Sequence, residues 1–301
     1  MAELTMQTDV KVVGTGDADT ADLPTVRPLC VRSYGLTDQG KVRESNEDQF
    51  LIAELVKALR VRHTSLAEPA LRTSPDNSYL FVVADGVGGS AGGERASALA
   101  VDSVEQFLLE SCKWFAQLRG REGDSVFSDF RRAVARANCR LLQEANAHPE
   151  LHGMGTTLTL AFCLNAELFV AHAGDCRCYL LREGLLYRLT ADHTLAEEMV
   201  RAGALQPEEA VGSRWRHVVV NALGGTSEEV KVELHHVGLL PGDVLLLCSD
   251  GLTAMVREGE IARVLCGEAD PRAACRSLVT RALDAGGQDN VTVIVARFEE
   301  G

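Results

Sequence analysis

Residues 79–95 read YLFVVADGVGGSAGGER, and the rest of the chain is organised around them. Residues 79–84 are apolar and rich in β-branched and aromatic side chains, the composition of a buried strand. The strand stops at Asp85-Gly86. A glycine-rich turn with Gly88, Gly89, Gly92 and Gly93 is expected next, then a helix from Glu94. A carboxylate at the tip of a buried strand is held rigidly, and a neighbouring glycine lets backbone approach whatever the carboxylate binds. One Asp-Gly pair is ordinarily a turn. Here the pattern recurs. Ser249-Asp250-Gly251 ends the apolar run 244–248, Gly287-Gln288-Asp289-Asn290 opens the run 291–295, and Glu47-Asp48 opens the strand expected over 49–53.

Working outward, residues 94–109 place Ala96, Leu99, Ala100, Val104 and Leu108 at helical spacing, and residues 126–147 do the same with Phe127, Phe130, Val134, Ala137, Leu141 and Leu142. The period then changes. Residues 156–164, 166–173, 177–181 and 185–189 read as successive strands joined by short turns, an antiparallel meander. Residues 192–203 suggest a short helix, and 206–225 a flap with Pro207, Gly212, Gly224 and Gly225. Strands over 230–235 and 243–248, helices over 258–265 and 271–285, and a strand over 290–298 complete the pattern. This order suits an antiparallel sandwich flanked by helices, not a doubly wound parallel sheet. Residues 1–28 read as a tail, and 54–78 as an insertion with a helical turn at 55–60 and loop at 68–77.

The 301 residues carry a net charge of −13 with a pI near 5.1, which argues against general nucleic-acid binding. An acidic protein that handles phosphate must reach it through local cations. Nine cysteines without a CxxC pair suggest no disulfide framework and a reducing, cytoplasmic setting, with Cys163, Cys248, Cys266 and Cys275 expected in the core. No apolar run is long enough to cross a bilayer, so no membrane partner is expected.

Glu47, Asp48, Asp85, Asp175, Asp250 and Asp289 then form a set of carboxylates, most of them beside buried strands. Unpaired carboxylates cannot be buried together cheaply. Either basic residues or cations must compensate, and the nearby bases are few, Arg43 and Arg177. Oxygen ligands without a Cys/His cluster point to Mg²⁺ or Mn²⁺. His172 reads as a buried strand residue, His193 as one that caps or orients the flap helix, and His235-His236 as surface. Gly153-Met154-Gly155-Thr156-Thr157 is followed by no lysine and enters a strand, which favours tight packing over phosphate cradling. Trp215, between Arg214 and Arg216, is placed where it could touch substrate.

Seven segments fall in a familiar order. They are Arg43-Glu44-Ser45-Asn46-Glu47-Asp48, Ala84-Asp85-Gly86-Val87-Gly88-Gly89, Gly153 to Leu158, Gly174-Asp175-Cys176-Arg177, Asp192-His193-Thr194, Cys248-Ser249-Asp250-Gly251-Leu252-Thr253 and Gly287 to Val293. From about Val31 to Gly301 the chain resembles the metal-dependent protein phosphatases, the PPM or type 2C serine/threonine phosphatases, bacterial members most. The resemblance implies one α+β domain over 29–301, a four-layer αββα sandwich of two antiparallel sheets, with a flap at about 191–226. It implies two Mn²⁺ or Mg²⁺ ions between the sheets, joined by a hydroxide that attacks phosphorus in line. By motif position Asp85 bridges the ions and Asp250 and Asp289 hold the first. Glu47 and the Gly86 carbonyl hold the second, with Asp48 close behind. Arg43 matches the phosphate-binding arginine. Asp175, with Asp250, is placed at a third ion, although a carboxylate often found there is replaced by Ala254. Val87 stands where many eukaryotic relatives carry a histidine. The implied partners are phosphorylated proteins, Ser/Thr kinases or their targets, met by a monomer. A catalytically weak phosphoprotein-binding regulator is the alternative.

Overall fold

Both faces of the central strands are buried, and this decides the layering. A computed structural model of the chain describes residues 29–56, 58–60, 71–73, 78–88, 90–110, 123–225 and 229–301. In the strand Ser78–Val87 (β5), Leu80, Val82 and Ala84 point into one core while Phe81 and Val83 point into another. The same division splits Val244–Cys248 (β13), where Leu245 and Leu247 share the second core and Val244, Leu246 and Cys248 enter a third. A strand buried on both faces lies between a second sheet and a helical layer. Four layers follow.

Two antiparallel sheets face each other. The first has the order β1 (Leu29–Asp38), β14 (Val291–Glu300), β13, β9 (Arg177–Arg182) and β10 (Leu185–Arg188). The second contains β2 (Asp48–Leu55), β5, β7 (Leu158–Leu164), β8 (Glu167–Ala173) and β12 (Glu233–Gly238), extended at one end by β6 (Gly155–Thr156) and β11 (Leu223–Gly224). Every pairing among the described strands is antiparallel. The helices α1 (Ser90–Glu110) and α2 (Gly123–Ala147) pack Leu99, Val104, Phe130 and Leu141 on the second sheet. On the first sheet, α6 (Glu258–Gly267) and α7 (Pro271–Asp284) pack Ile261, Leu265, Leu278 and Val279. The expected αββα sandwich of class α+β is present.

The flap carries α3 (Leu195–Arg201), capped by Thr194 Oγ1 accepting from Glu197 N, and α4 (Pro207–Val211). It is closed at its stem by an antiparallel bridge, Thr194↔Val219, flanked by Leu195 N donating to Val218 O at 2.8 Å and Val220 N donating to His193 O at 2.9 Å. The short helix α5 (Asp250–Thr253) follows β13 directly.

Several expectations need correction. Residues 55–60 form no helical turn: Leu55 ends β2, and β3 (Ala58–Arg60) pairs with β4 (Leu71–Thr73). A short apolar run does not distinguish the two by periodicity. The first flanking helix begins at Ser90, so Gly92 and Gly93 lie inside α1 and not in a turn. The strand expected over 230–235 starts later, at Glu233. Cys266 is exposed, while Cys163, Cys248 and Cys275 are buried as expected. Within the loop expected over 68–77, residues 71–73 form β4 instead, and the rest of it and the tail at 1–28 lie outside the described residues.

Candidate metal centre

The two sheets bring their acidic ends to one cleft. Asp48 opens β2 and stands in register opposite Asp85 on β5. From the facing sheet, Asp250 follows β13 and Asp289 precedes β14. Asp175 sits in the turn where the chain crosses from β8 to β9, that is, from one sheet to the other. Glu47, Asp85, Gly86, Asp175, Asp250 and Asp289 all line a single cavity of about 650 Å³, together with Arg43. Asp48 lies beneath its floor, only 2% exposed.

Backbone stitching holds these positions. Thr157 Oγ1 accepts from Asp85 N at 2.9 Å, and Thr157 N and Thr156 Oγ1 each donate to Asp85 O at 2.8 Å. The Gly153–Thr157 motif therefore packs against Asp85 and fixes its backbone. Asn290 Oδ1 accepts from Glu47 N at 2.8 Å, while its amide donates to Gln39 O and Ser45 O, pinning the loop that carries Arg43. Gly86 N and Ser97 Oγ both donate to Glu47 O. Contact also selects glycine beside the cavity. A Cβ on Gly86 would collide with Gly93 O, and one on Gly93 with Glu47 Oε2.

The electrostatics are those of a site in need of cations. Five carboxylates line the cavity against the guanidinium groups of Arg43 and Arg216 and the imidazole of His217. Burial, then the neighbouring Asp48 and Asp250, hold the Asp85 carboxyl well above its ordinary value. Burial and Asp250 do the same to Asp175. Asp48 is pushed up to about 7, mainly by burial, against hydrogen bonds from Thr292 and Ser249. Ser249 Oγ donates to Asp48 Oδ2 at 2.7 Å, but buried Oδ1 has no partner. Burial likewise raises Glu47, opposed by Arg43. A donor set dominated by carboxylates, with an orphaned buried carboxylate oxygen beneath it, fits hard divalent cations.

Among the described residues, the one group of three candidate ligands whose donor atoms all lie within 4.8 Å of one another is His172, His193 and Glu233. The cavity carboxylates form no group of three with all donor atoms that close together among the described residues. The nitrogens of the His172 group are already engaged. His172 meets Thr159 Oγ1 at 2.8 Å and Ala191 O at 3.0 Å. His193 meets Gly174 N at 3.1 Å and Glu233 Oε2 at 3.1 Å. Burial lowers His172 to about 4, so it is neutral. This is a saturated hydrogen-bond network, consistent with His172 as a buried strand residue.

Sequence reasoning missed His217, whose Nδ1 lies 3.3 Å from Asp250 Oδ2. It also gave no role to Ser249 or Asn290. Trp215 carries the Arg214 guanidinium 4.3 Å over its ring, and it is Arg216 that lines the cavity. Ala254 stands in the wall beside Asp175 and Asp250, and exposed Val87 in the rim.

The family model for protein phosphatase 2C matches residues 68–284. The serine/threonine phosphatase stp of Listeria monocytogenes is 32% identical over 259 residues, covering 86% of this chain and 92% of that protein. The crystal structure of the phosphatase Stp1 from Staphylococcus aureus aligns with a TM-score of 0.72 at 28% identity, covering 93% of this chain and 99% of that one. The catalytic domain of PstP, solved in complex with two manganese ions, aligns with a TM-score of 0.69 at 32% identity, covering 90% and 99%. A matched family model, a shared sandwich and an acidic cleft between its sheets agree: the chain belongs to the protein phosphatase 2C family.

Proposed function

We propose that this chain is a Mn²⁺- or Mg²⁺-dependent phosphatase that hydrolyses phosphoserine and phosphothreonine in proteins. The observation that carries the reading is the convergence of Glu47, Asp85, Asp175, Asp250 and Asp289 from both sheets on one cavity, with Arg43 at its edge. Asp85 would bridge two ions, Asp250 and Asp289 would hold the first, and Glu47 with the Gly86 carbonyl the second. Asp175 with Asp250 would serve a third. Bound there, the ions would lower the pKa of water to give a hydroxide nucleophile and neutralise the phosphoryl oxygens.

The chain's own residues do the rest. Arg43 presents a planar fork suited to two phosphoryl oxygens. Asp48, anchored by Ser249, orients the ligand set from beneath. The flap places Arg216, His217, Val218 and Val219 in the wall of the cavity, where they limit what approaches the phosphate. Water adds to phosphorus, and the serine or threonine oxygen leaves with a proton.

The domain is taken as residues 29–301, with the flap at about 191–226, acting on phosphorylated Ser/Thr kinases or their targets in the cytoplasm. No described helix is long and apolar enough to cross a membrane. The test is release of phosphate from phosphoserine and phosphothreonine peptides with Mn²⁺, Mg²⁺ or chelator. Metal-stimulated turnover supports the reading. Binding of phosphopeptide without metal-stimulated turnover would favour a phosphoprotein-binding regulator instead.

A further inference from the structure

His193 is connected to three segments at once. Its backbone N donates to Gly174 O at 2.7 Å, and its Nδ1 accepts from Gly174 N at 3.1 Å. Gly174 immediately precedes Asp175. Its Nε2 meets Glu233 Oε2 on β12 at 3.1 Å. Its carbonyl accepts from Val220 N at 2.9 Å, at the flap stem, and Asn221 Nδ2 reaches Nδ1 at 2.9 Å.

The tautomer follows from the partners. Asn221 Oδ1 accepts from Lys231 N, which fixes its amide nitrogen toward His193. Nδ1 therefore faces two donors and must be the acceptor, so Nε2 carries the hydrogen and gives it to Glu233. Burial raises Glu233, but hydrogen bonds from His193 and His235 outweigh it and hold the carboxyl far below its usual range. Glu233 stays ionised and keeps the ring in this orientation. On the other side, a Cβ on Gly174 (φ +125°) would collide with the Thr157 side chain. The turn before Asp175 is thus gripped between His193 and Thr157, and Thr157 also fixes Asp85.

We propose that His193, held by Glu233, is a positioning residue that ties the flap stem to the turn carrying Asp175. The inference deepens the proposed function, since it rests on Asp175 as an ion ligand. Flap placement and the aim of that carboxylate then move together, although neither His193 nor Glu233 touches the cavity.

Three variants test it: His193→Ala, His193→Asn and Glu233→Ala. Asparagine places an amide oxygen near the position of Nδ1 and can still accept from Gly174 N, whereas alanine cannot. In metal-free protein, amide exchange at Gly174 should quicken about tenfold in His193→Ala, the loss of roughly one hydrogen bond. His193→Asn should return it to within about twofold of the unmodified protein. By calorimetry, the Mn²⁺ concentration at half-saturation should rise about tenfold in His193→Ala and less in His193→Asn. With phosphopeptide, KM should rise more than kcat falls, because the flap is displaced. Glu233→Ala should quicken exchange at both Gly174 and Val220, and it carries the test if His193→Ala does not fold. Unchanged exchange at Gly174 in His193→Ala and Glu233→Ala, or equal impairment of His193→Ala and His193→Asn, would overturn the proposal. Absence of Mn²⁺-dependent turnover in the unmodified protein would defeat the proposed function while leaving the exchange result to judge the tie itself.

Discussion

Arg43 Nη2 donates to Asp289 Oδ2 at 2.7 Å, so the guanidinium assigned to phosphate rests on a carboxylate assigned to an ion. Asp289 raises the basicity of Arg43 through this hydrogen bond. The arginine side chain is half exposed, at 54%, and such a pair contributes little to folding, about 0–1 kcal/mol. The pairing therefore places the arginine more than it stabilises the protein. Arg43→Ala should raise KM for a phosphopeptide roughly 10–100-fold, the range of a hydrogen bond to a charged group, and shift the melting temperature by no more than a few degrees. Arg43→Lys should recover part of the loss, since it keeps charge but not the fork. Steady-state kinetics with a phosphothreonine peptide decides: a fall in kcat at unchanged KM would remove Arg43 from phosphate binding.

The carboxylate shifts predict how the chelated protein responds to pH. Asp48, Asp85 and Asp175 are all raised in the fold by burial and by one another or Asp250. A carboxyl raised on folding favours the native state when protonated. Its contribution is complete below the unfolded value, roughly 4, and is lost as pH rises through the folded value, about 7 for Asp48. Chelated protein should melt several degrees higher at pH 5.5 than at pH 7.5, Asp48 alone accounting for on the order of 2 kcal/mol. Mn²⁺ at pH 7.5 should abolish the difference by binding the ionised forms. Scanning calorimetry in chelator at the two pH values checks this, and a melting point that rises toward pH 7.5 would contradict it.

The site was more legible in the chain than its supports were. Asp85, Asp250 and Asp289 announce themselves because each adjoins a strand buried on both faces, which reads as an unbroken apolar run. Val291, Val293 and Val295 face one core while Ile294, Ala296 and Phe298 face another, so no alternation obscures the strand. The β3–β4 hairpin was not legible, because three-residue strands carry too few side chains to show a period of two. Glu233 and His217 were not legible either. Their meaning depends on partners 40 and 33 positions away along the chain, His193 and Asp250, and a lone Glu or His on an ordinary stretch gives no local signal. Gly93 is hidden because glycine most often marks turns, whereas here contact and not dihedral angle selects it.

That last point predicts a specific lesion. Gly93 lies in the helix α1, where alanine is intrinsically better than glycine by about 1 kcal/mol. Gly93→Ala would nonetheless drive a methyl group into Glu47 Oε2. Glu47 must turn away, and the cavity loses one of its acidic donors. The variant should keep its circular dichroism spectrum while its Mn²⁺ half-saturation rises by about tenfold or more. Manganese titration by calorimetry measures it, and an unchanged isotherm would place Glu47 outside the ligand set.

Asp250, proposed above to hold an ion, lends itself to a charge-only test. It lines the cavity, and His217 Nδ1 lies 3.3 Å from its Oδ2. Asp250→Asn keeps the volume and removes the charge, so the fold should persist while turnover falls by at least about 10³-fold, as expected when an essential metal site is disabled. Two-state melting close to that of the unmodified protein, combined with lost phosphopeptide hydrolysis, is the expected result. Retained Mn²⁺-dependent activity would contradict the assignment.

Ala254 offers the converse experiment. It stands in the cavity wall with Asp175 and Asp250, whose carboxyls already repel: Asp250 is, after burial, the largest cause of the raised Asp175. Ala254→Asp adds a third carboxylate to this pair. Without metal the added charge should lower the melting temperature at pH 7.5, because a like charge within a few ångströms opposes ionisation of both neighbours. With Mn²⁺ the same charge becomes a ligand, so the gain in melting temperature on adding metal should exceed that of the unmodified protein, and calorimetry should resolve tighter uptake of an additional ion. The two effects have opposite signs and a single cause. A variant destabilised equally with and without Mn²⁺ would mean that position 254 is merely overpacked, and that Asp175 and Asp250 do not share an ion.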